Sequence, residues 1–310
     1  MSHMNLASLL PDGLVFFERG WLSSNNILIT DEQQSYLIDT GYWTHADQTL
    51  ALVENTLGER SLTHILNTHL HSDHCGGNAA LQARFPSAVT AVPPGQADHV
   101  FEWDPVALTY TPTGQHCPPF RADGVIRPGS VFEVAQTPWE VHAAPGHDPH
   151  SVIFYAPEHG ILISADSLWE NGFGVVFPEL EGVSAFDEVA ATLDVIERLK
   201  PRVVLPGHGA AFIDVSGSLD RARTRLSDFR KDPRKHARHA AKVLLKFKLL
   251  ELQRVNAAVF LEWAANTLYL RMIHQAYGDG PLIKDWLTDL LKQLQTAGAA
   301  RLQGQDLINL

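Results

Sequence analysis

Thr68-His69-Leu70-His71-Ser72-Asp73-His74 is the stretch on which the reading of this chain turns. It follows the run Thr63–Asn67, which reads as a β-strand, and it packs three histidines and an aspartate into six residues. A strand that ends in a tight loop can present His69 and His71 to one ion and Asp73 and His74 to a second. Histidine is the commonest protein ligand for metals, and the chain holds 16 of them. A single site cannot use all 16, so most are surface or packing residues, His45, His64, His99, His116, His142, His159, His236, His239 and His274 among them.

Working outward, three more candidates recur in the same setting. His147 lies in Pro145-Gly146-His147-Asp148, Asp166 follows the strand Ile161–Ala165, and His208 lies in Pro206-Gly207-His208-Gly209 after Val203–Leu205. Each stands at the carboxyl end of a predicted strand, where loops gather at one edge of a sheet. Seven ligands are too many for one tetrahedral ion and suit two ions that share a carboxylate. Imidazole and carboxylate without thiolate suit Zn, Fe, Mn or Co, with Zn the expected metal.

The rest of the chain supplies a frame. Leu14–Phe17, Ile27–Thr30 and Ser35–Ile38 read as strands, Ala46–Leu57 as a helix stopped by Gly58, and Gly76–Phe85 as a helix ended by Pro86. Residues 101–128 hold Pro105, Pro112, Pro118 and Pro119 without a sustained period and read as a long binding loop or lid. Further strands follow from Val131 to Ser164. Ser184 is the expected N-cap of a helix over Ala185–Leu199, with Glu188 behind it. Beyond residue 216 helical spacing dominates, over Arg234–Arg254, Ala257–Tyr277 and Leu282–Thr296, and Arg301–Leu310 around Gly304 reads as a small hairpin. Phe260, Trp263, Tyr269 and Trp286 fall on helical stripes and read as core. The expected division is a cloning remnant at 1–4, a catalytic domain at 5–215 and a helical extension at 216–310.

These motifs, in this order from about Leu14 to Phe212, resemble the metallo-β-lactamase superfamily. The resemblance implies an α+β fold, the αββα sandwich, with a C-terminal helical extension like those of thioesterase-like and RNA-processing members, some of which are winged helices. It implies that His69, His71 and His147 hold one divalent ion, that Asp73, His74 and His208 hold a second, and that Asp166 bridges them. Asp39, in Asp39-Thr40-Gly41, resembles a group that supports the ligands from behind. Asp73 is the candidate catalytic residue, a ligand that also orients the attacking hydroxide. Asn78, in the run His74-Cys75-Gly76-Gly77-Asn78, resembles glyoxalase II and its thioesterase relatives. That enzyme's Cys-Gly-Arg segment after the bridging aspartate is replaced here by Leu168-Trp169-Glu170-Asn171-Gly172, which argues against glutathione thioesters. True β-lactamases of the fold generally lack the bridging aspartate, so Asp166 argues against that activity.

The expected function is hydrolysis of an acyl thioester, ester or lactone of a small molecule. A phosphodiesterase or nuclease with the same two ions, and a signalling protein that keeps the site, are the alternatives. A net charge of −11 works against nucleic acid as a partner, and the basic run from Arg230 to Lys248 reads as a solvated helix face. No stretch of eighteen apolar residues and no signal peptide are seen, so no membrane is expected and the cytoplasm is the default compartment. Cys75 and Cys117 are too few for a disulfide framework. A homodimer is left open.

Overall fold

A computed structural model describes residues 9–310; the remnant read at 1–4 lies outside the described residues. The first sheet runs β1 (Leu14–Phe17), β2 (Asn26–Thr30), β3 (Ser35–Ile38), β4 (His64–Leu66), β5 (Val89–Val92) and β6 (Gly124–Val125), in that spatial order. Its first two pairings are antiparallel and the rest parallel. The parallel crossovers carry helices α1 (Ala46–Leu57), α2 (Ser72–Cys75), α3 (Asn78–Arg84), α4 (Ala97–Phe101) and α5 (Tyr110–Thr113). The second sheet holds β7 (Val131–Val134), β8 (Thr137–Ala143), β9 (Val152–Ala156), β10 (Ile161–Ala165) and β11 (Val203–Pro206) in the order β11-β10-β9-β8-β7. Short α6 (Phe177–Leu180) and long α7 (Phe186–Leu199) link β10 to β11, which pair in parallel.

Alternation along each strand explains the layering. In β2, Ile27 and Ile29 join the core between the sheets, while Leu28 points outward against Val53, Leu57 and Leu81 of α1 and α3. In β10, Ile161 and Ile163 face the same inner core, and Leu162 packs outward with Val189, Leu193 and Ile196 of α7. Both sheets are thus apolar on both faces, which requires helices on each outer side and gives the αββα sandwich.

The helices that follow are α8 (Val215–Lys231), α9 (Pro233–Leu252), α10 (Ala257–Asn266), α11 (Leu268–Tyr277) and α12 (Ile283–Thr296). Helix α8 lays Leu219, Ala222, Leu226 and Phe229 into the outer cluster of α7, whereas α9 to α12 share a separate core around Leu245, Phe260, Leu270 and Leu290. Strands β12 (Arg254–Asn256), β13 (Ala300–Gln303) and β14 (Asp306–Asn309) form a small sheet in the order β12-β14-β13 beside these helices.

Several local expectations change. The helix foreseen over Ala257–Tyr277 breaks at Thr267, whose extended backbone ends one helix and precedes the next. The helix foreseen over Gly76–Phe85 begins at Asn78, and a separate turn, α2, carries Ser72–Cys75. Ser184 does not cap α7; the Glu179 carboxylate instead accepts from the backbone N–H groups of Ala185 and Phe186, at 2.6 and 2.9 Å. Residues 101–128 line the cavity through Thr109, Thr113 and Gln115, as a binding loop would, but they are not a loose lid. They bury Leu108, Tyr110, Cys117 and Phe120 against Leu70 and Val92 and add β6 to the sheet. Burying proline-rich sequence this way needs no periodicity, which is why the pattern gave no sign of it.

Candidate metal centre

Each of the seven predicted ligands leaves a strand end or the turn after it. His69, His71, Asp73 and His74 follow β4, His147 follows β8, Asp166 follows β10 and His208 follows β11. The structure brings all seven to one edge of the sandwich. Ligand atoms of His69, His71 and His147 lie within 4.8 Å of one another, as do those of Asp73, His74 and His208. Between the two groups, one oxygen of Asp166 lies 3.4 Å from His74 Nε2 and the other 3.4 Å from His147 Nε2. His208 Nε2 stands 3.1 Å from Asp73 Oδ2.

The supporting groups fix these rings. Asp39 has a left-handed backbone, with φ 56, which turns its carboxylate back into the sandwich. It accepts from Thr68 N, from the Thr68 hydroxyl and from His74 Nδ1, at 2.9, 2.8 and 2.7 Å, so His74 must aim Nε2 at the centre. His147 Nδ1 donates to the Val175 carbonyl, which orients its Nε2 in the same way. Asn78 accepts from the Thr40 hydroxyl and donates to Asn67, whose amide in turn donates to the His74 carbonyl. It braces the ligand loop and does not face the cavity. Gly207 is required because a Cβ there would sit 2.2 Å from Asp166 Oδ1.

These residues fit a pair of cations. Buried Nε2 atoms of His74 and His147 have no hydrogen-bond partner among the described residues, a costly state unless a cation takes their lone pairs. Burial, reinforced by the neighbouring imidazoles, keeps His69 well below the usual histidine range and pushes His71 down to about 3. Burial likewise lowers His147. Neutral imidazole is the ligand form. His74 is the exception. Burial opposes its charged form, but Asp39, Asp166 and Asp73 outweigh that and hold it well above the usual range. Burial also opposes the Asp166 anion, yet His208, His74 and His147 keep the carboxyl far below its ordinary value. The cluster therefore concentrates carboxylate charge that divalent cations would balance while leaving His74 neutral.

A cavity of about 490 Å³ opens over this edge. His71, Asp73, His147, Asp166 and His208 form its floor, and Trp21, Trp169, Phe177, Val243 and Phe247 form much of its wall. Trp21 is 58% exposed yet stacks on the His208 ring, with centroids 5.4 Å apart and planes 5° apart. Trp169 donates from Nε1 to Asp166 at 3.3 Å. His150 is absent from this wall: it packs over Gly95, where a Cβ would stand 2.0 Å from its ring. Cys75 and Cys117 are buried free thiols in hydrogen-bond contact, with sulfurs 3.9 Å apart, outside the candidate ligand set.

Sequence reasoning missed Trp21, Asp148, Arg225 and His239. Asp148, buried and 4.0 Å from His71 Nε2, adjoined a motif and was the most readable of these. Trp21 lies in an irregular segment, and Arg225 and His239 lie on helices whose pattern reports packing alone. His236 proves to be structural, its Nε2 accepting from Val176 N at 3.1 Å.

The Metallo-beta-lactamase superfamily profile matches residues 19–208. Among curated proteins, the chain is similar to an atrochrysone carboxyl ACP thioesterase of Aspergillus aculeatus, 26% identical over 200 residues, 62% of this chain and 53% of that protein. It is also similar to a hydroxyacylglutathione hydrolase of Stenotrophomonas maltophilia, 34% identical over 151 residues, 49% of this chain and 48% of that one. The chain thus spans about half the length of the curated relatives it matches. Among solved structures, a metallo-beta-lactamase family protein from Thermus thermophilus superposes with a TM-score of 0.56 at 22% identity, covering 97% of this chain and 100% of that one. That likeness concerns fold alone. No helix among the described residues is long and apolar enough to cross a membrane.

Proposed function

The chain belongs to the metallo-β-lactamase superfamily, and on that premise we propose that it hydrolyses an acyl thioester, or a related ester or lactone, of a small molecule, using two divalent ions, Zn by preference. The observation that carries this reading is the convergence of unpartnered imidazole nitrogens and the Asp166 carboxylate at, and just beneath, the floor of a largely apolar cavity. His69, His71 and His147 would hold one ion, Asp73, His74 and His208 the other, and Asp166 would touch both. When bound, the ions supply Lewis acidity, polarising a carbonyl and acidifying water near neutral pH.

The chain's own residues do the rest. Trp21, Trp169, Phe177 and Phe247 exclude water from the acyl group and turn its carbonyl toward the floor. Asp73, held low by His74 and His208 against the effect of burial, stays ionised and accepts a hydrogen bond from the attacking water, which fixes its line of approach. Asp39 and the Val175 carbonyl keep two of the imidazoles in the ligating tautomer throughout. Relatives named as an ACP thioesterase and as a hydroxyacylglutathione hydrolase support a thioester among the acyl substrates.

The test is metal analysis of the purified chain together with a panel of acyl thioesters, lactones, a β-lactam and a phosphodiester. Near two ions per chain with thioester or lactone turnover, lost together in His71→Ala, is the expected result. Turnover of the phosphodiester alone would overturn the substrate class, and full turnover without metal would overturn the mechanism.

A further inference from the structure

Helix α8 carries four arginines, and three of them find carboxylates. Arg221 pairs with Asp214, Arg223 with Asp194 and Glu197, and Arg230 with Asp187. Arg225 differs. It lines the cavity above the metal centre, and among the described residues no carboxylate lies within 4.0 Å of it. Its guanidinium sits between the rings of Phe173 and Phe229, at 5.5 and 5.3 Å, and uses one of its five N–H donors, from Nη2 to His239 Nε2 at 2.7 Å. Because that nitrogen accepts, neutral His239 keeps its proton on the other one, and burial holds the ring at about 3. Lys242, one turn further along α9 from Arg238, also lacks a carboxylate within 4.0 Å among the described residues. It lines an outer cavity of about 460 Å³ that shares Trp21, His239, Val243 and Phe247 with the first.

We propose that Arg225, with His239 and Lys242 beside it, is a subsite for an anionic oxygen group, a carboxylate or a phosphate, on the substrate of the metal centre. The proposal rests on the hydrolytic reading above and narrows it to anionic acyl compounds. In a chain with 35 acidic residues and 24 basic ones, a half-buried guanidinium left without a carboxylate is an unfilled demand for an anion. The planar fork of free donors matches carboxylate and phosphate oxygens. Placement fits as well. Asp166, Trp169 and Gly172 lie on one short segment: Trp169 bonds Asp166, and a Cβ on Gly172 would stand 2.8 Å from Arg225 Nη1. The segment that carries the shared metal ligand therefore also carries the backbone against which the guanidinium is set. A substrate can reach both groups within one cavity, with its apolar middle passing Trp21 and Phe247.

The experiment uses the full, metal-loaded chain and three thioesters: S-butanoyl-N-acetylcysteamine, which is neutral; S-succinyl-N-acetylcysteamine, with a carboxylate on the acyl side; and S-butanoyl-phosphopantetheine, with a phosphate on the leaving group. The subsite predicts at least about a tenfold preference in kcat/KM for one anionic substrate over the neutral one, and the favoured arm identifies the source of the anion. Arg225→Gln should cut that preference about ten- to hundredfold, mainly through KM. Arg225→Lys should keep part of it, and Arg223→Gln, outside the cavity and paired with α7, all of it. No anionic preference in the wild type, or a preference that survives Arg225→Gln, overturns the subsite. Binding of the matching thioethers, which cannot be hydrolysed, separates the two readings. Arg225-dependent binding of an anionic thioether without turnover of any thioester would sustain the subsite and overturn the hydrolytic reading. Thioester turnover with equal binding of all thioethers would do the reverse.

Discussion

The sandwich edge and the α9–α12 cap build the same cavity by opposite means. At the edge, the seven candidate ligands hang from four strand ends, and a polar network fixes them: Asp39 on His74, Val175 on His147, and Asn78 with Asn67 on the loop between. The cap holds itself by apolar burial around Phe260, Leu270 and Leu290, and offers the cavity Val243, Phe247 and His239 from one helix face. Chemistry that needs fixed geometry sits on short loops anchored by hydrogen bonds. On the reading proposed above, shape and charge selection fall to α9 and to Arg225 of the neighbouring α8, where a side chain can change without disturbing the candidate ligands. If that division is right, substitutions on the two sides should separate metal content from stability.

The largest effect is expected at the edge. His74→Ala removes a ligand that faces Asp73 and Asp166 at 4.0 and 3.4 Å, so one ion should be lost and turnover should fall about a thousandfold or more. Metal analysis beside kcat checks this, and a variant that keeps both ions would break the assignment of the edge. In the cap, Phe260→Ala empties a site that is 1% exposed and should cost about 3–5 kcal/mol. A lower denaturant midpoint with metal content unchanged is the expected outcome. Equal loss of metal would mean that the two regions are not separable.

The same division sets how much was legible in the sequence. The edge was readable because its residues are chemically rare in combination: the run from His69 to His74, with His147, Asp166 and His208 each after a strand, points to metal without any tertiary knowledge. The run Ile27, Leu28 and Ile29 was legible as a strand, but being apolar throughout it could not show that Leu28 faces outward and its neighbours inward. The cap yielded helices but not their use. Val243 and Phe247 fall on an ordinary apolar stripe, and nothing in the pattern distinguishes the turn that meets the cavity from the turn that meets α12. Arg225 looks like its neighbours Arg221 and Arg223 until the carboxylates around them are in place. The Thr267 break was invisible because both flanking segments keep helical spacing. Residues 101–128 were half legible: Thr109, Thr113 and Gln115 do line the cavity, but prolines and aromatics without a period gave no sign of the dense core that the rest of the segment packs into.

A smaller effect probes the support behind the ligands. Asp39→Asn keeps the shape but removes the charge that holds the His74 proton on Nδ1, at 2.7 Å. Metal affinity should fall by about 10–100-fold with the fold intact, read by competition with a chelator. Unchanged affinity would show that Asp39 serves the loop through Thr68 alone, by the bonds at 2.9 and 2.8 Å.

The smallest effect belongs to the seam between the two regions. His236, on α9, is 2% exposed and accepts from the backbone of Val176, next to the carbonyl that orients His147. Burial, helped by the Arg225 charge, pushes its pKa down to about 4, against an ordinary value of 6.5. The unfolded chain therefore takes up a proton below pH 6.5 while the folded chain does not, so this contribution is complete above 6.5 and is lost progressively as pH falls toward 4. Between pH 6.5 and 5.5 the loss from this one group amounts to about 1 kcal/mol. His236→Gln retains an acceptor for the Val176 N–H but does not titrate, so its stability should decline about 1 kcal/mol less than wild type over that interval. Urea midpoints of the metal-loaded proteins at the two pH values measure the difference. Parallel decline of the two proteins would mean that the seam opens to water before the chain unfolds, and the cap would then be a layer that can lift from the metal edge.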